Sequence, residues 1–256
     1  MSKKRKIYTA LEVFFAVLLV IAVMRLAYIG YSYYKGDQIY DNAVAEYVEE
    51  NPNPVADGQT TIDLGFQVDF KKLYKTNEEI IGWIYIPDTP VNYPLLYTDN
   101  NSYYLKHTYE KEYSDFGSIF LATECSSDFS DTHSLVYGHN TKNNSMFGSL
   151  KKYKDSAYLK EHPYFYIVQD DRVLEYKIVS AFTAETSDDI YLLTFEDDPA
   201  FITWLQNVEQ LSVVDCSAPE VTGKEKVVTL STCTSRTKTE RFVVNGILEN
   251  TYDALA

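Results

Sequence analysis

Near the C-terminus the chain reads Val227-Val-Thr-Leu-Ser-Thr-Cys233, then Thr234-Ser-Arg-Thr-Lys-Thr-Glu240, then Arg241-Phe-Val-Val244. The first run is β-branched and apolar and reads as a strand that ends at Cys233. The second is a polar loop, and the third starts another strand. Paired as an antiparallel hairpin, the two strands set Cys233 opposite Arg241 across the mouth, about 4.5–5.5 Å apart. A permanent cation beside a thiol favours thiolate and offers a donor to a developing oxyanion. The same residues also admit a plainer reading, a small buried Cys capping a strand with Arg241 as a rim charge. Ser231 shares the face of Cys233 by the two-residue period of a strand. The amide joining Thr232 to Cys233 is a further oxyanion donor.

Working outward, short β-rich runs alternate with turn residues from Ile80 onward. They are Ile81–Ile86, Val91–Leu96, Gly117–Ala122, Ser134–Tyr137, Tyr164–Ile167, Val173–Phe182, Lys226–Cys233 and Arg241–Glu249. Eight short strands in one stretch predict a mainly β domain, a closed barrel or a sandwich. Helical interruptions are expected at Met146–Tyr153 and at Pro199–Leu211, where Phe201, Leu205 and Val208 share a face. Upstream, 35–50 and Asp69–Asn77 read as helices, and Asn51-Pro-Asn-Pro54 stops the first.

Charge is unevenly spread. The whole chain carries −14, with 23 Lys+Arg against 37 Asp+Glu. Residues 1–34 carry Lys3, Lys4, Arg5, Lys6 and Arg25 against Glu12, a net of +4, leaving −18 for the remainder. That balance excludes a nucleic-acid partner as the main business of the chain. Behind the basic cluster lies an apolar run from Val13 to Met24, followed by Tyr28, Tyr31, Tyr33 and Tyr34. About 20 such residues span a bilayer, and tyrosines gather at its interface. The run therefore predicts an uncleaved signal anchor. Residues 1–6 are the cytoplasmic tail, 7–34 the transmembrane segment, 35–64 a helical stalk and linker, and 65–256 an extracytoplasmic catalytic domain. A cleaved signal peptide fits less well, because no small-x-small site follows the run.

His139, in Ser134-Leu-Val-Tyr-Gly-His-Asn140, sits where a strand runs into Gly138. It is the histidine best placed to exchange protons with a Cys nucleophile, since His107, His133 and His162 lack that setting. A hydrogen-bonded structural His is the alternative. No Cys-x-x-Cys or His-x-x-x-His spacing exists, so no metal is expected. Asp188-Asp189 and Asp197-Asp198 read as solvated loop charge. No cofactor motif is present. The three cysteines are an odd number, and Cys125 and Cys216 read as structural thiols.

Thr229-Leu-Ser-Thr-Cys233 followed by Arg241-Phe-Val-Val244 resembles the nucleophile signature of sortases, and Tyr137-Gly-His-Asn140 resembles their His motif. Asn92-Tyr-Pro-Leu-Leu96, Asp99-Asn-Asn-Ser-Tyr-Tyr-Leu105, Gly117-Ser-Ile-Phe120 and Met146-Phe147 resemble class B sortases in particular. So does the helical insert before the nucleophile strand. The resemblance covers roughly residues 65–250. It implies a closed eight-stranded sortase-type β-barrel with N-terminal helices. It also implies a membrane-anchored cysteine transpeptidase of Gram-positive cell surfaces. Cys233 is then the nucleophile, His139 the proton carrier and Arg241 the holder of substrate and oxyanion. The partners are surface proteins bearing an NPxT(N/G)- or LPxTG-like sorting signal, and a peptidoglycan amine. Ser231, Thr232, Asn92 and Leu96 become substrate-site residues by the same resemblance, and Tyr191 and Leu192 by their place in the insert. Two departures stand out. The loop after Cys233 carries no acid at 234 or 235, so no Cys-His-Asp triad is expected, and the strongly acidic domain is not a family hallmark.

Other classes stay in view. A pilus-assembling sortase differs only in its acceptor amine. A papain-like protease places Cys before His at a helix start, the reverse of the order here. An L,D-transpeptidase needs a His-Gly-Cys-type motif that is missing. A sortase fold kept for binding without turnover is the non-enzymatic alternative.

Overall fold

The computed structural model describes residues 3–50, 60–216, 220–233 and 239–254. The stop expected at Asn51-Pro-Asn-Pro54, and most of the polar loop after Cys233, lie outside the described residues.

The eight expected strands all form. They are β3 (Ile80–Tyr85), β4 (Asn92–Leu96), β5 (Ile119–Leu121), β6 (His133–Gly138), β7 (Tyr164–Val168), β8 (Arg172–Glu185), β9 (Val227–Thr232) and β10 (Glu240–Asp253). Two three-residue strands precede them, β1 (Val48–Glu50) and β2 (Phe66–Val68), paired antiparallel outside the barrel. The eight close in the order β10-β8-β7-β3-β4-β5-β6-β9. Closure leaves no unpaired sheet edge. Two neighbours run parallel, β4 with β5 and β6 with β9, and the other pairs are antiparallel.

Every residue of β9 is buried. Val228 and Leu230 point into the barrel core with Trp83, Phe165 and Val244, while Val227 belongs to a second core outside it. That second core exists because the segment between β8 and β9 folds over the barrel wall. Its helix α4 (Asp198–Gln210) presses Phe201, Trp204, Leu205 and Val208 against Val179, Phe182, Val243 and Ile247. Asp197 caps α4 by accepting the Ala200 N–H at 2.9 Å, and Pro199 suits its first turn. Each such fully buried apolar side chain contributes about 1.5–3 kcal/mol.

The chain begins with α1 (Lys3–Tyr47), 45 residues long. It is one continuous helix, so the expected helix at 35–50 is its C-terminal part. It ends three residues earlier than expected, because 48–50 turn into β1 and the Asp69 N–H closes on the Tyr47 carbonyl at 2.8 Å. Residues from Tyr33 onward lie against the barrel. Tyr40 and Tyr47 are buried, the Tyr40 hydroxyl hydrogen-bonds the Gly117 carbonyl, and the Tyr47 hydroxyl bonds Thr76 Oγ1 at 2.7 Å. Gly36 makes this close approach possible, since a Cβ there would lie 2.5 Å from the Phe116 ring. The N-terminal part of α1 is apolar and exposed, and it is long enough to cross a membrane.

Two short helices complete the fold. Asp69 caps α2 (Phe70–Thr76), and Asp155 caps α3 (Ser156–Glu161). The stretch expected to be helical at Met146–Tyr153 forms as a 3₁₀ helix over Phe147–Lys154. Its run of three lysines leaves too little apolar surface for a longer amphipathic α-helix.

Candidate active site

Three strand ends build the site. In the β6–β9 ladder Gly138 pairs with Thr232, and the next rung is the Cys233 N–H donating to the Gly138 carbonyl at 2.7 Å. Continuing that register puts His139 beside Cys233. In the β9–β10 ladder Val243 pairs with Ser231, and continuing by two residues puts Cys233 opposite Arg241. Neighbouring strands lie about 4.8 Å apart. The side chains of His139, Cys233 and Arg241 therefore emerge from adjacent strands, in that order, on one face. Gly138 allows the turn at the end of β6, because a Cβ there would meet the Phe147 ring at 2.6 Å.

Cys233 and Arg241 line a cavity of about 220 Å³ with Asn101, Leu105, Phe120 and Tyr137. Burial pushes the Cys233 thiol up to about 12, and Arg241 pulls it back only in part. The pull of Arg241 toward thiolate expected from the sequence is present, but burial opposes it. Desolvation outweighs the neighbouring cation and so favours the neutral thiol.

His139 is almost fully buried, and its Nε2 bonds the Leu105 carbonyl at 2.7 Å. A carbonyl only accepts, so Nε2 carries the proton of the neutral ring and Nδ1 the lone pair. Burial, aided by Lys106, holds the imidazole below its ordinary pKa, against the raising influence of the Leu105 carbonyl and Asp115. A neutral imidazole next to a neutral thiol is a base waiting for a proton. The pair can form thiolate and imidazolium together as a bond to sulfur develops.

The remaining expected residues divide. Ser231 is fully buried on the face of Cys233, and its Oγ lies 3.2 Å from the Tyr191 hydroxyl. Tyr191 thus reaches down from the insert to the nucleophile strand. Leu192 is half exposed, and its backbone carbonyl accepts from His133 Nδ1 at 2.7 Å. Thr232 points to the opposite face, where its Oγ1 accepts the Phe242 N–H at 2.9 Å. Two residues are placed elsewhere. Asn92 accepts from the Trp83 indole at 2.6 Å and lines a separate cavity beside α1. Leu96 is fully buried in the barrel core. As strand residues of β4 they are occupied by packing, and neither faces the Cys233 cavity.

Sequence reading missed four wall residues, Asn101, Leu105, Phe120 and Tyr137. All four fall in, or next to, stretches already conspicuous in the sequence, Asp99–Leu105, Gly117–Phe120 and the His motif. It also passed over His133. That ring is fully buried, bonded at Nε2 to Thr229 Oγ1 at 2.7 Å, and packed on Trp204 with ring centroids 4.5 Å apart. From Thr229 the network continues to Asn245 Oδ1 at 2.5 Å and on to Ser180.

A sortase-domain family model matches residues 84–249, and this span holds His139, Cys233 and Arg241. The chain belongs to the sortase family. It is a class B-type sortase, a cysteine transpeptidase. This sortase is 34% identical over 214 residues to sortase B of Listeria monocytogenes, covering 82% of this chain and 83% of that one. Its fold is similar to a Staphylococcus aureus sortase B–substrate complex, with 31% identity, a TM-score of 0.66, and coverage of 70% and 83% of the two chains. It is also similar to sortase B from B. anthracis, with 26% identity, a TM-score of 0.71, and coverage of 86% and 99%. The closed eight-stranded barrel is thus the class B sortase barrel.

Proposed function

We propose that Cys233 cleaves a sorting signal after its Thr and hands the released acyl group to a cell-wall amine. The reading rests on one observation above the others. The β6–β9–β10 register brings Cys233 and Arg241 together at one cavity, with His139 on the next strand end beside Cys233.

In the first half-reaction the Cys233 sulfur attacks the Thr carbonyl, and His139 Nδ1 takes the thiol proton. The Arg241 guanidinium balances the charge on the tetrahedral oxygen, since the Cys233 N–H is taken by the Gly138 carbonyl. Collapse breaks the C–N bond, and the imidazolium protonates the leaving amine. The product is a thioester, which keeps the energy of the broken amide and spares an exported enzyme any need for ATP. An incoming amine then resolves it. Tyr191, braced by the buried Ser231 hydroxyl, borders the approach to the nucleophile on the insert side and contacts the peptide.

Residues 1–6 form a cytoplasmic tail, 7–34 a transmembrane anchor, 35–64 a connection docked in part on the barrel, and 65–256 the catalytic domain. Anchoring keeps the enzyme where exported substrates emerge and raises their effective concentration.

Intact-mass spectrometry tests this. The full chain is mixed with Asn-Pro-x-Thr-x and Leu-Pro-x-Thr-Gly peptides, with and without triglycine. The expected result is a Thr-ended adduct on the wild type, none on Cys233→Ala, and transfer of the fragment to the amine. Hydrolysis without transfer in the presence of amine would make the protein a protease instead.

A further inference from the structure

The docked part of α1 sends two polar side chains into the catalytic domain from one face. Asp37 and Tyr40 are three residues apart and so share a side of the helix. The Asp37 carboxylate accepts from Asn143 Nδ2 at 2.9 and 2.8 Å and from Ser145 Oγ at 2.7 Å. The Tyr40 hydroxyl donates to the Gly117 carbonyl and lies 3.0 Å from Ser118 Oγ. The two segments gripped in this way, 140–147 and 104–118, both bear on His139.

We propose that Asp37 and Tyr40 are positioning residues for the transpeptidase reaction, which hold His139 as its Nε2–H tautomer, one through the loop that follows the ring and the other through Leu105. The inference rests on the roles of Cys233 and His139 given above. It adds that the helix carrying the anchor segment also prepares the base.

The Tyr40 path runs through backbone. Gly117 has a φ of 58°, which favours glycine, and a Cβ there would lie 2.5 Å from the Tyr104 carbonyl oxygen and 2.8 Å from that of Leu105. The Ser118 N–H donates to the Tyr104 carbonyl at 2.8 Å. Gly117 and Ser118 therefore lie directly against Tyr104 and Leu105. The Leu105 carbonyl in turn accepts from His139 Nε2 at 2.7 Å. By fixing Gly117, Tyr40 fixes the backbone against which that carbonyl is set.

The Asp37 path runs through the chain that leaves the ring. The His139 carbonyl accepts the Phe147 N–H at 3.0 Å, and Asn140 pairs with Met146, so 140–146 form a closed loop hung on His139. Thr141 Oγ1 crosses it to the Ser145 carbonyl at 2.5 Å. Met146 has φ 50° and ψ −128°, a conformation that a residue other than glycine keeps only where its surroundings hold it. Those surroundings come from the α1 side. Asp37 ties down Asn143 and Ser145, and the Tyr93 hydroxyl accepts the Met146 N–H at 3.0 Å. Tyr40 packs edge-on against the Tyr93 ring, with centroids 5.2 Å apart. One face of the helix thus reaches the loop twice.

The consequence is chemical. A neutral imidazole has one N–H and one lone pair, and the partner of one nitrogen decides which is which. With the Leu105 carbonyl in place the proton stays on Nε2, and Nδ1 is open to the proton of the Cys233 thiol. Were the carbonyl to swing away, or the loop to let the ring turn, the Nδ1–H tautomer would become populated. A nitrogen that already carries a proton cannot take another from the thiol.

The helix supplies its own control. Tyr47, two turns beyond Tyr40, bonds Thr76 Oγ1 of α2 at 2.7 Å. Tyr47→Phe removes that hydrogen bond and keeps the ring.

The test compares the full-length wild type with Asp37→Ala, Tyr40→Phe and Tyr47→Phe in detergent micelles. Tyr40→Phe keeps its ring packing, so it reports even where Asp37→Ala loosens the fold. One readout is single-turnover acylation by a sorting peptide, followed over peptide concentration. The other is nitrogen NMR of the chain labelled in its histidine rings, with the His139 signals assigned against His139→Gln. Asp37→Ala and Tyr40→Phe should each lower the maximal acylation rate about fivefold, the rate equivalent of one hydrogen bond, with the half-saturating peptide concentration unchanged. In both, His139 should lose Nε2–H signal in favour of Nδ1–H. Tyr47→Phe should match the wild type in both readouts. Lower urea midpoints with wild-type acylation and an intact Nε2–H signal would reduce the two contacts to glue between helix and barrel and overturn the inference alone. An equal loss in Tyr47→Phe would overturn it too, since any loosening of α1 would then suffice. If the wild type forms no acyl-enzyme at all, the transpeptidase reading fails and takes the inference with it.

Discussion

Cys233 donates its backbone N–H to the Gly138 carbonyl at 2.7 Å, and this bond ties the nucleophile strand to the residue just before His139. The distance between thiol and imidazole is thereby set by a parallel ladder, which is stiffer than a loop. Gly138 is the sensitive point of that arrangement.

Gly138→Ala should consequently disturb the site as well as the fold. The added methyl would sit 2.6 Å from the Phe147 ring, which is buried and has no room to give way. Overpacking of this kind costs about 1–3 kcal/mol. The expected result is a lower urea midpoint together with a loss in acylation rate of at least tenfold under conditions where the variant is still folded. A fall in stability with normal acylation would show that the ladder does not control the thiol–imidazole geometry.

The pH behaviour of Cys233 follows from its neutral resting form. With the thiol pushed up to about 12, alkylation by iodoacetamide should quicken about tenfold per pH unit from pH 7 to 10. Arg241→Ala removes the group that pulls the thiol down, so its alkylation should be slower at every pH in that range. Acylation by a sorting peptide needs neutral His139. That imidazole lies below its ordinary value, so the acylation rate should rise with pH only below about 6.5 and stay level through neutrality. A plateau in alkylation near pH 7 would contradict the neutral pair.

The barrel was legible because its strands announce themselves. Each is a run of β-branched and aromatic residues bounded by turn formers, and even the hairpin register that opposes Cys233 to Arg241 agrees with the ladder that the structure forms. What escaped was of two kinds. Three-residue strands such as β1 and β2 are too short for any period to show. The cavity walls come from residues remote in sequence, so Leu105 and Asn101 are recognised only once β4 and β5 run parallel and the segment between them crosses the site. The resting state of the thiol was not legible for a related reason. A neighbouring cation is visible in the sequence, but the burial that opposes it is a property of the folded insert and barrel together.

His133 offers a stability prediction with a definite sign. Its ring is fully buried and its pKa is lowered by desolvation from 6.5 to about 4. A histidine depressed in the folded state costs nothing above the unfolded value, where both states are neutral. As pH falls from 6.5 toward 4 the unfolded chain binds the proton and the folded one does not, so stability is lost. The shift corresponds to about 3 kcal/mol. His133→Phe keeps a ring against Trp204 and removes the titration. It should be less stable at pH 7, because the bonds to Leu192 and Thr229 are gone, yet it should lose about 3 kcal/mol less than the wild type on going to pH 4. Urea midpoints at the two pH values read this directly, and parallel losses in both proteins would refute it.

The same bond links His133 to catalysis through the insert. Its Nδ1 holds the Leu192 carbonyl, and the adjoining Tyr191 reaches Ser231 at 3.2 Å. His133 is therefore a positioning residue, acting on the peptide only through Tyr191. Tyr191→Phe should raise KM for the sorting peptide several-fold, since it removes one hydroxyl from the approach to the nucleophile. His133→Phe should do the same by loosening the insert. If the path is shared, the double variant should be little worse than the worse single one. Interacting pairs of this kind depart from additivity by about 0.5–3 kcal/mol. Full additivity in kcat/KM would mean that His133 contributes to the fold alone and that Tyr191 keeps its place without it.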